Sequence, residues 1–258
     1  MIDSLYVVLA MAFALGLALR TGSVCLVAAT EALLRRRNPD RMMLILEGTG
    51  WALVALVLLG AYPIGMSFSQ PVVIGLLGAF VFGVGAAVNG ACAFGVIAQI
   101  GTGRFEYFLT GLGLWIAMQG AVFLDLEAVA AHSGPVLPWS LALWAIAALF
   151  LGRLVLLRLR GAVNLRRAVT GSVAIAVAAG CFTSLAVLHR EFPWITLLAD
   201  LAMADLLSVL IAALVVAGAI VAGLLIPDGF ELRWPGWRRL IKRFAGGFLM
   251  GLGGVLLP

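Results

Sequence analysis

The 258-residue sequence contains very little charge, since 11% of its residues are Asp, Glu, Lys or Arg and 64% are hydrophobic. A soluble domain carries about 25% charged residues, so this chain lacks the polar surface that a soluble enzyme or a disordered segment needs. Its mean hydropathy is +1.14. These deficits predict an all-α, polytopic integral membrane protein.

Side chains that bind metals and cofactors are scarce as well. The sequence has three cysteines and two histidines, and no two cysteines form a C-x-x-C pair. Structural zinc takes four nitrogen or sulfur ligands, and haem and iron–sulfur groups need comparable donors. We therefore expect neither a metal nor a cofactor.

Lysine is almost missing, because Lys242 is the single lysine beside 16 arginines. Most basic residues fall in three clusters, and the stretches 61–71 and 125–138 between them contain neither Arg nor Lys. Loops rich in Lys and Arg stay in the cytoplasm, which predicts an N-terminus outside. The clusters lack the interleaved aromatic residues of a nucleic-acid surface, so nucleic acid is excluded as a partner. The three clusters are 35–41, 153–167 and 233–243.

Long apolar runs dominate the rest of the chain. A helix needs about 20 apolar residues to cross a bilayer. The Gly-rich segment 244–258 is shorter, which predicts either a half-helix or a natural chain that continues beyond Pro258. Unbroken spans are predicted at 42–60, 105–124, 139–157, 168–188 and 203–226.

Two further segments, 4–34 and 72–103, are each about 30 residues long and are interrupted near the middle. The interruptions read RTGSVC at 20–25 and NGAC at 89–92. Broken helices survive in lipid only where the freed backbone is buried in protein or faces a cavity. The pattern predicts re-entrant-like helices and an internal repeat, in which 4–60 and 72–124 are equivalent units. We expect one transmembrane domain over 1–258, with further helices over 139–258.

The two breaks carry the main candidate site residues. Cys25 and Cys92 follow the helix-breaking Gly22 and Gly90, where a new half-helix would begin. Free N–H groups and the positive dipole end at a helix start attract anions, and a thiol is a soft, polarizable neighbour. We predict substrate contact at both cysteines. The alternative is that they are small buried hydrophobes.

Four other residues are candidates for the site, each with an alternative structural role. Asn89 stands beside the second break and either contacts substrate or caps the following half-helix. Arg20 beside the first break either attracts an anion or snorkels to the interface. Two residues are weaker candidates: Cys181, where packing is favoured because its span is continuous, and Glu47, whose carboxylate lies in a span and could couple protons.

With these residues the sequence resembles the YeeE/YedE family of sulfur-compound permeases. The resemblance rests on RTGSVC at 20–25, GVGAAVNGACAFG at 83–95, RWPGW at 233–237 and GGFLMGLGG at 246–254. It implies a bacterial cytoplasmic (inner) membrane protein that imports thiosulfate. It also implies that Cys25 and Cys92 pass the anion inward through transient hydrogen bonds, and that a third cysteine follows the Gly-rich segment. A cytoplasmic sulfur-carrier or rhodanese-type protein would be the partner.

The leading hypothesis is therefore a transporter, not an enzyme, which moves a small inorganic sulfur anion across the lipid bilayer. One alternative is a membrane sulfur-transfer or redox protein that forms a cysteine persulfide. The other is a non-transporting membrane assembly subunit in which all three cysteines are structural.

Overall fold

The computed structural model describes residues 2–22, 25–59, 67–68, 72–123, 132–133, 165–188, 206–226, 229–232 and 235–256, with isolated positions between 144 and 155. The prediction of an all-α polytopic membrane protein is confirmed. Within the described ranges, five segments are long and apolar enough to cross a membrane: Leu5–Arg36, Asp40–Leu58, Val73–Ile100, Thr170–Val187 and Leu206–Leu225.

The described helices follow the predicted spans to within three residues at 42–60, 105–124, 168–188 and 203–226. The predicted span 139–157 lies mostly outside the described residues. A 3₁₀ turn, Phe105–Tyr107, precedes the sixth helix, and Ser67–Phe68 pairs antiparallel with His132–Ser133. The helices are α1 (Ile2–Gly22), α2 (Leu26–Arg36), α3 (Asp40–Leu58), α4 (Val72–Asn89), α5 (Ala93–Ile100), α6 (Phe108–Phe123), α7 (Leu165–Leu188), α8 (Leu206–Leu225) and α9 (Trp237–Leu256).

Both predicted interruptions are present. The first separates Gly22, where α1 ends, from Leu26, where α2 begins; the second separates α4 from α5. Gly90 in the second break has φ +74°, a left-handed conformation that glycine adopts without steric cost. Long helix, short helix and third helix follow in the same order in α1–α3 and in α4–α6. The repeat itself stays a prediction.

The helices pack in two groups: α1 packs against α7 and α8 and α3 packs against α7, whereas α9 packs against both α4 and α6. Helix α5 contacts both α1 and α8. Glycines bring the helices of the second group close together. A Cβ at Gly85 would lie 2.6 Å from the Met250 backbone nitrogen. Gly247 and Gly251, which form a G-x-x-x-G pattern, lie against α6. Small residues allow this close approach in membrane helices.

The last helix differs from the prediction. It begins at Trp237 and is 20 residues long, whereas the apolar run indicates a start near 244. A hydropathy criterion stops at charges, but Arg and Lys are good helix formers, and the helix continues back to the turn at Pro235 and Gly236. The basic cluster at 238–243 therefore belongs to the first two turns of α9 and is not a loop.

The C-terminal ends of α1, α5 and α8 lie together at one end of the molecule, which we call the basic end. Arg20, near the end of α1, donates from Nη2 to the Gly229 carbonyl at 2.8 Å, just after α8. The Glu231 N–H donates to the Thr102 carbonyl, just after α5, at 2.9 Å. The predicted alternation of crossing directions requires that α5 and α8 end on the same side. An N-terminus outside stays a prediction.

Candidate substrate path at two helix breaks

Cys25 and Cys92 are the N-cap residues of α2 and α5. Both have extended backbones, with φ −138° and ψ 113° at Cys25 and φ −76° and ψ 174° at Cys92. Their carbonyls accept the first helical hydrogen bonds, from the N–H groups of Ala29 and Val96, each at 2.9 Å. Each cysteine thus stands where the backbone turns into a half-helix.

The fold brings the two thiols together. Cys25 and Cys92 are 8% and 9% exposed and belong to one buried cluster. Their side chains interact directly with each other. The contacts are also reciprocal, because the Cys25 thiol faces the N–H of Cys92 and the Cys92 thiol faces the N–H of Leu26. The N-termini of α2 and α5 therefore meet at one point inside the protein.

No acidic side chain in the first turns of α2 and α5 compensates the positive ends of these two helices. The thiols provide only weak contacts with their own helix starts, Cys25 with Val27 and Ala28 and Cys92 with Gly95. A helix start with unsatisfied N–H groups is a favourable site for an anion. Two such starts with two polarizable sulfurs between them suit a small anion that itself contains sulfur.

Gly95 allows this contact between the breaks. It lies in the first turn of α5, and a Cβ added there would be 2.6 Å from the Cys25 Sγ and 3.1 Å from the Cys25 Cβ. The sequence contains Gly95 within the motif at 83–95 but gives no reason to separate it from the other glycines. Its role depends on the approach of α2, which only the tertiary structure shows.

Asn89 holds the second break in place. Its side chain is 0% exposed; Nδ2 donates to the Ala91 carbonyl and Oδ1 accepts from the Thr110 hydroxyl, both at 2.8 Å. Both bonds go to protein groups, one within the break and one on α6. Thr110 is not among the residues predicted from the sequence, where its only signal is a hydroxyl within a predicted span.

The remaining predicted residues lie apart from the thiol pair. Arg20 binds the Gly229 carbonyl at the basic end. Glu47 is buried on α3 and accepts a hydrogen bond from the Ser172 hydroxyl on α7 at 3.3 Å. Cys181 is half-buried on α7 and packs against the core cluster of α1, α7 and α8. The structure thus brings together Cys25, Cys92 and the Asn89 break. It places Arg20, Glu47 and Cys181 elsewhere.

A basic cavity of about 450 Å³ lies on the side of the second break. One of its cations, Arg243, reaches the second break, since its Nη1 is 3.1 Å from the position of a Cβ added at Gly90. The same guanidinium stacks on the Tyr107 ring at 4.2 Å from its centroid, and Tyr107 belongs to the buried cluster of the two thiols. From the sequence, the cations of this cavity were predicted only to set the orientation of the chain in the membrane. The described residues that line the cavity are Val88, Arg104, Glu106, Arg239, Lys242 and Arg243.

The fold and the site together define a class of protein: a multi-pass membrane protein in which two discontinuous helices meet with their N-termini, an arrangement common in transporters. Comparison with protein families agrees, since the family described as sulphur transport (Sulf_transp) matches residues 21–130. That segment contains both breaks and both thiols, and it is similar to the sulphur transport family. The resemblance to the YeeE/YedE permeases is thereby confirmed, and it supports a sulfur-compound transporter. No curated protein sequence matches the chain.

Proposed function

We propose that this protein imports thiosulfate, and that Cys25 and Cys92 contact the anion during its passage. One observation carries the proposal: two thiols interact at the apposed starts of α2 and α5. The helix starts offer N–H groups to the oxygens of the anion, and the thiols offer weak S–H donors to its terminal sulfur. Sulfate has no such sulfur, so the thiols would favour thiosulfate.

Weak contacts suit a transport path, because an ion must leave each site as readily as it enters. In this scheme Gly22 and Gly90 open the helices, and Gly95 lets the thiols meet. Asn89 positions the second break through its bonds to Ala91 and Thr110. We assign Arg20 to the anchoring of the segment after α8, because its guanidinium is bound to the Gly229 carbonyl.

The membrane potential opposes import of an anion, so a cytoplasmic protein that removes the imported anion would favour transport. An inside-negative potential opposes anion entry by about 2.3 kcal/mol per charge per 100 mV, hence by about 4.6 kcal/mol for a dianion at that voltage. A sulfur-carrier or rhodanese-type protein in the cytoplasm would lower the internal concentration and maintain the inward gradient. We place the protein in the bacterial cytoplasmic membrane, with its N-terminus outside and its basic end inside.

We further propose that 4–60 and 72–124 are two copies of one unit within a single transmembrane domain. The reciprocal contacts support this, since each cysteine is the N-cap of its short helix and faces the start of the other. Two equivalent units related by an approximate two-fold axis produce such pairs of contacts.

Uptake of radiolabelled thiosulfate into proteoliposomes tests the function. Cys25→Ala and Cys92→Ala should each lose most uptake, whereas Cys181→Ala should retain it because that thiol packs in another cluster. Equal uptake in all three variants would refute the role of the thiols. Absence of uptake in the wild type, together with cyanolysable sulfur on a cysteine, would favour the persulfide alternative.

A further inference from the structure

The positive-inside rule does not explain why the cations at the basic end surround a single cavity. The positive-inside rule requires only that Lys and Arg lie on the cytoplasmic side. Here Arg104, from the turn after α5, reaches the same cavity as Arg239, Lys242 and Arg243 from α9. Arg238, on the same helix, does not line the cavity. The cations from two parts of the chain thus surround one space.

Arg239 lies in the first turn of α9, where a cation is electrostatically unfavourable, and Lys242 and Arg243 follow in the second turn. The helix begins at Trp237 and has no acidic residue in its first turn. Cations near a helix N-terminus oppose the macrodipole, whereas an anion there is stabilised. A bound anion in the cavity would compensate the dipole and the positive charge that the one carboxylate among the described lining residues, Glu106, does not balance against the four lining cations.

The guanidinium groups of Arg243 and Arg104 are held in place by the protein and keep N–H donors available for a ligand. Arg243 stacks on Tyr107, and its buried Nε has no hydrogen-bond partner among the residues that the structure describes. Arg104 donates from Nη1 to Gln99 Oε1 at 3.2 Å, which leaves its other N–H groups available. Fixed guanidinium forks bind the oxygens of tetrahedral oxyanions with paired hydrogen bonds.

We propose that the basic cavity is a second anion site, at which the transported sulfur oxyanion pauses before release. The identity of the cargo rests on the proposed function, whereas the binding of an oxyanion here does not. The cavity adjoins the second break through Gly90 and the thiol cluster through Tyr107. None of its described lining residues carries a thiol, so it should bind sulfate and thiosulfate alike.

Glu106 makes this site weak. Its side chain is buried, and its Oε2 has no partner among the described part of the chain. A carboxylate beside a bound anion repels it and offsets part of the attraction of the cations. A release site needs this balance, because tight binding would stop the anion at the exit.

Equilibrium dialysis of radiolabelled sulfate against the full-length protein in neutral detergent measures the site. The Arg239→Gln/Lys242→Gln variant should bind sulfate about tenfold more weakly, since two exposed cations are each worth a few-fold. Glu106→Gln should bind it more tightly than the wild type. Arg238→Gln is the matched control, because it removes one charge from the same helix outside the cavity, and it should bind like the wild type.

The outcomes separate this proposal from the proposed function. If the double variant binds sulfate as the wild type does, the cavity is not an anion site, even when thiosulfate uptake still depends on Cys92. If sulfate binding follows the cations while no thiosulfate is transported, the anion site stands and its cargo is another oxyanion. Headgroups of anionic lipids offer the same chemistry, so dialysis is repeated with phosphatidylglycerol. Displacement of all bound sulfate by this lipid would assign the cavity to lipid and overturn the release site.

Discussion

Gly95→Ala tests the contact between the two breaks with the smallest possible change. The added methyl carbon would lie 2.6 Å from the Cys25 Sγ. Unstrained contacts of heavy atoms are about 3.5–4.0 Å, so the thiol or the start of α2 must move by roughly 1 Å. Because α5 has ordinary helical geometry at this position, the substitution perturbs the contact and not the local backbone.

The expected effect on transport is large and the effect on stability moderate. Overpacking of a buried site costs about 1–3 kcal/mol. A displacement of about 1 Å in a reacting geometry can reduce a rate about 100-fold, and a transport contact is less demanding, so we expect a loss of uptake of about tenfold. Cys25→Ala in the same chain removes the clashing sulfur, so the double variant should regain stability but not uptake.

Thiosulfate uptake into proteoliposomes and thermal unfolding in detergent provide the two measurements. Gly83→Ala is the control, because nothing lies within 4 Å of a Cβ at that position; it should unfold and transport as the wild type does. Wild-type uptake by Gly95→Ala would show that close approach of Cys25 to α5 is irrelevant to transport. Failure of Cys25→Ala to restore stability would show that the methyl group clashes elsewhere.

Further predictions address the thiol pair and its support. Mild oxidation of purified protein should join Cys25 to Cys92 in a disulfide and block uptake until a thiol reductant is added; mass spectrometry that finds both thiols free would contradict their contact. Thr110→Val should lower the free energy of unfolding by about 1–3 kcal/mol, because it leaves the buried side-chain oxygen Oδ1 of Asn89 without its donor. An unchanged unfolding transition would argue against that hydrogen bond. Gly247→Leu should separate α9 from α6 and reduce the yield of folded protein in size-exclusion chromatography, and normal recovery would mean that the helices do not pack there.

The sequence predicted most of the helices because lipid imposes a simple rule. Backbone groups in hydrocarbon must be satisfied within a helix, so apolar runs of sufficient length locate the spans, and the small and polar residues at 22–25 and 89–92 locate the breaks. The same rule was misleading for α9. Its start at Trp237 lies among charges that a hydropathy criterion assigns to a loop.

The site was predictable only in part. The glycines and the polar residue at the breaks indicated that Cys25 and Cys92 begin half-helices, because that is a local property of the backbone. The hydrogen bond from Thr110 to Asn89 and the need for Gly95 join residues on different helices. No local pattern encodes such contacts.

Composition and hydrophobic spacing by themselves determined that this chain enters a membrane as broken and unbroken helices, since transfer into lipid depends on each segment alone. Only the tertiary structure decided which helix starts face each other and which cations share a cavity. Packing makes that choice, because the small residues on α4, α6 and α9 let backbones approach at particular positions. The meeting of two thiols and the convergence of Arg104 with α9 follow from that packing.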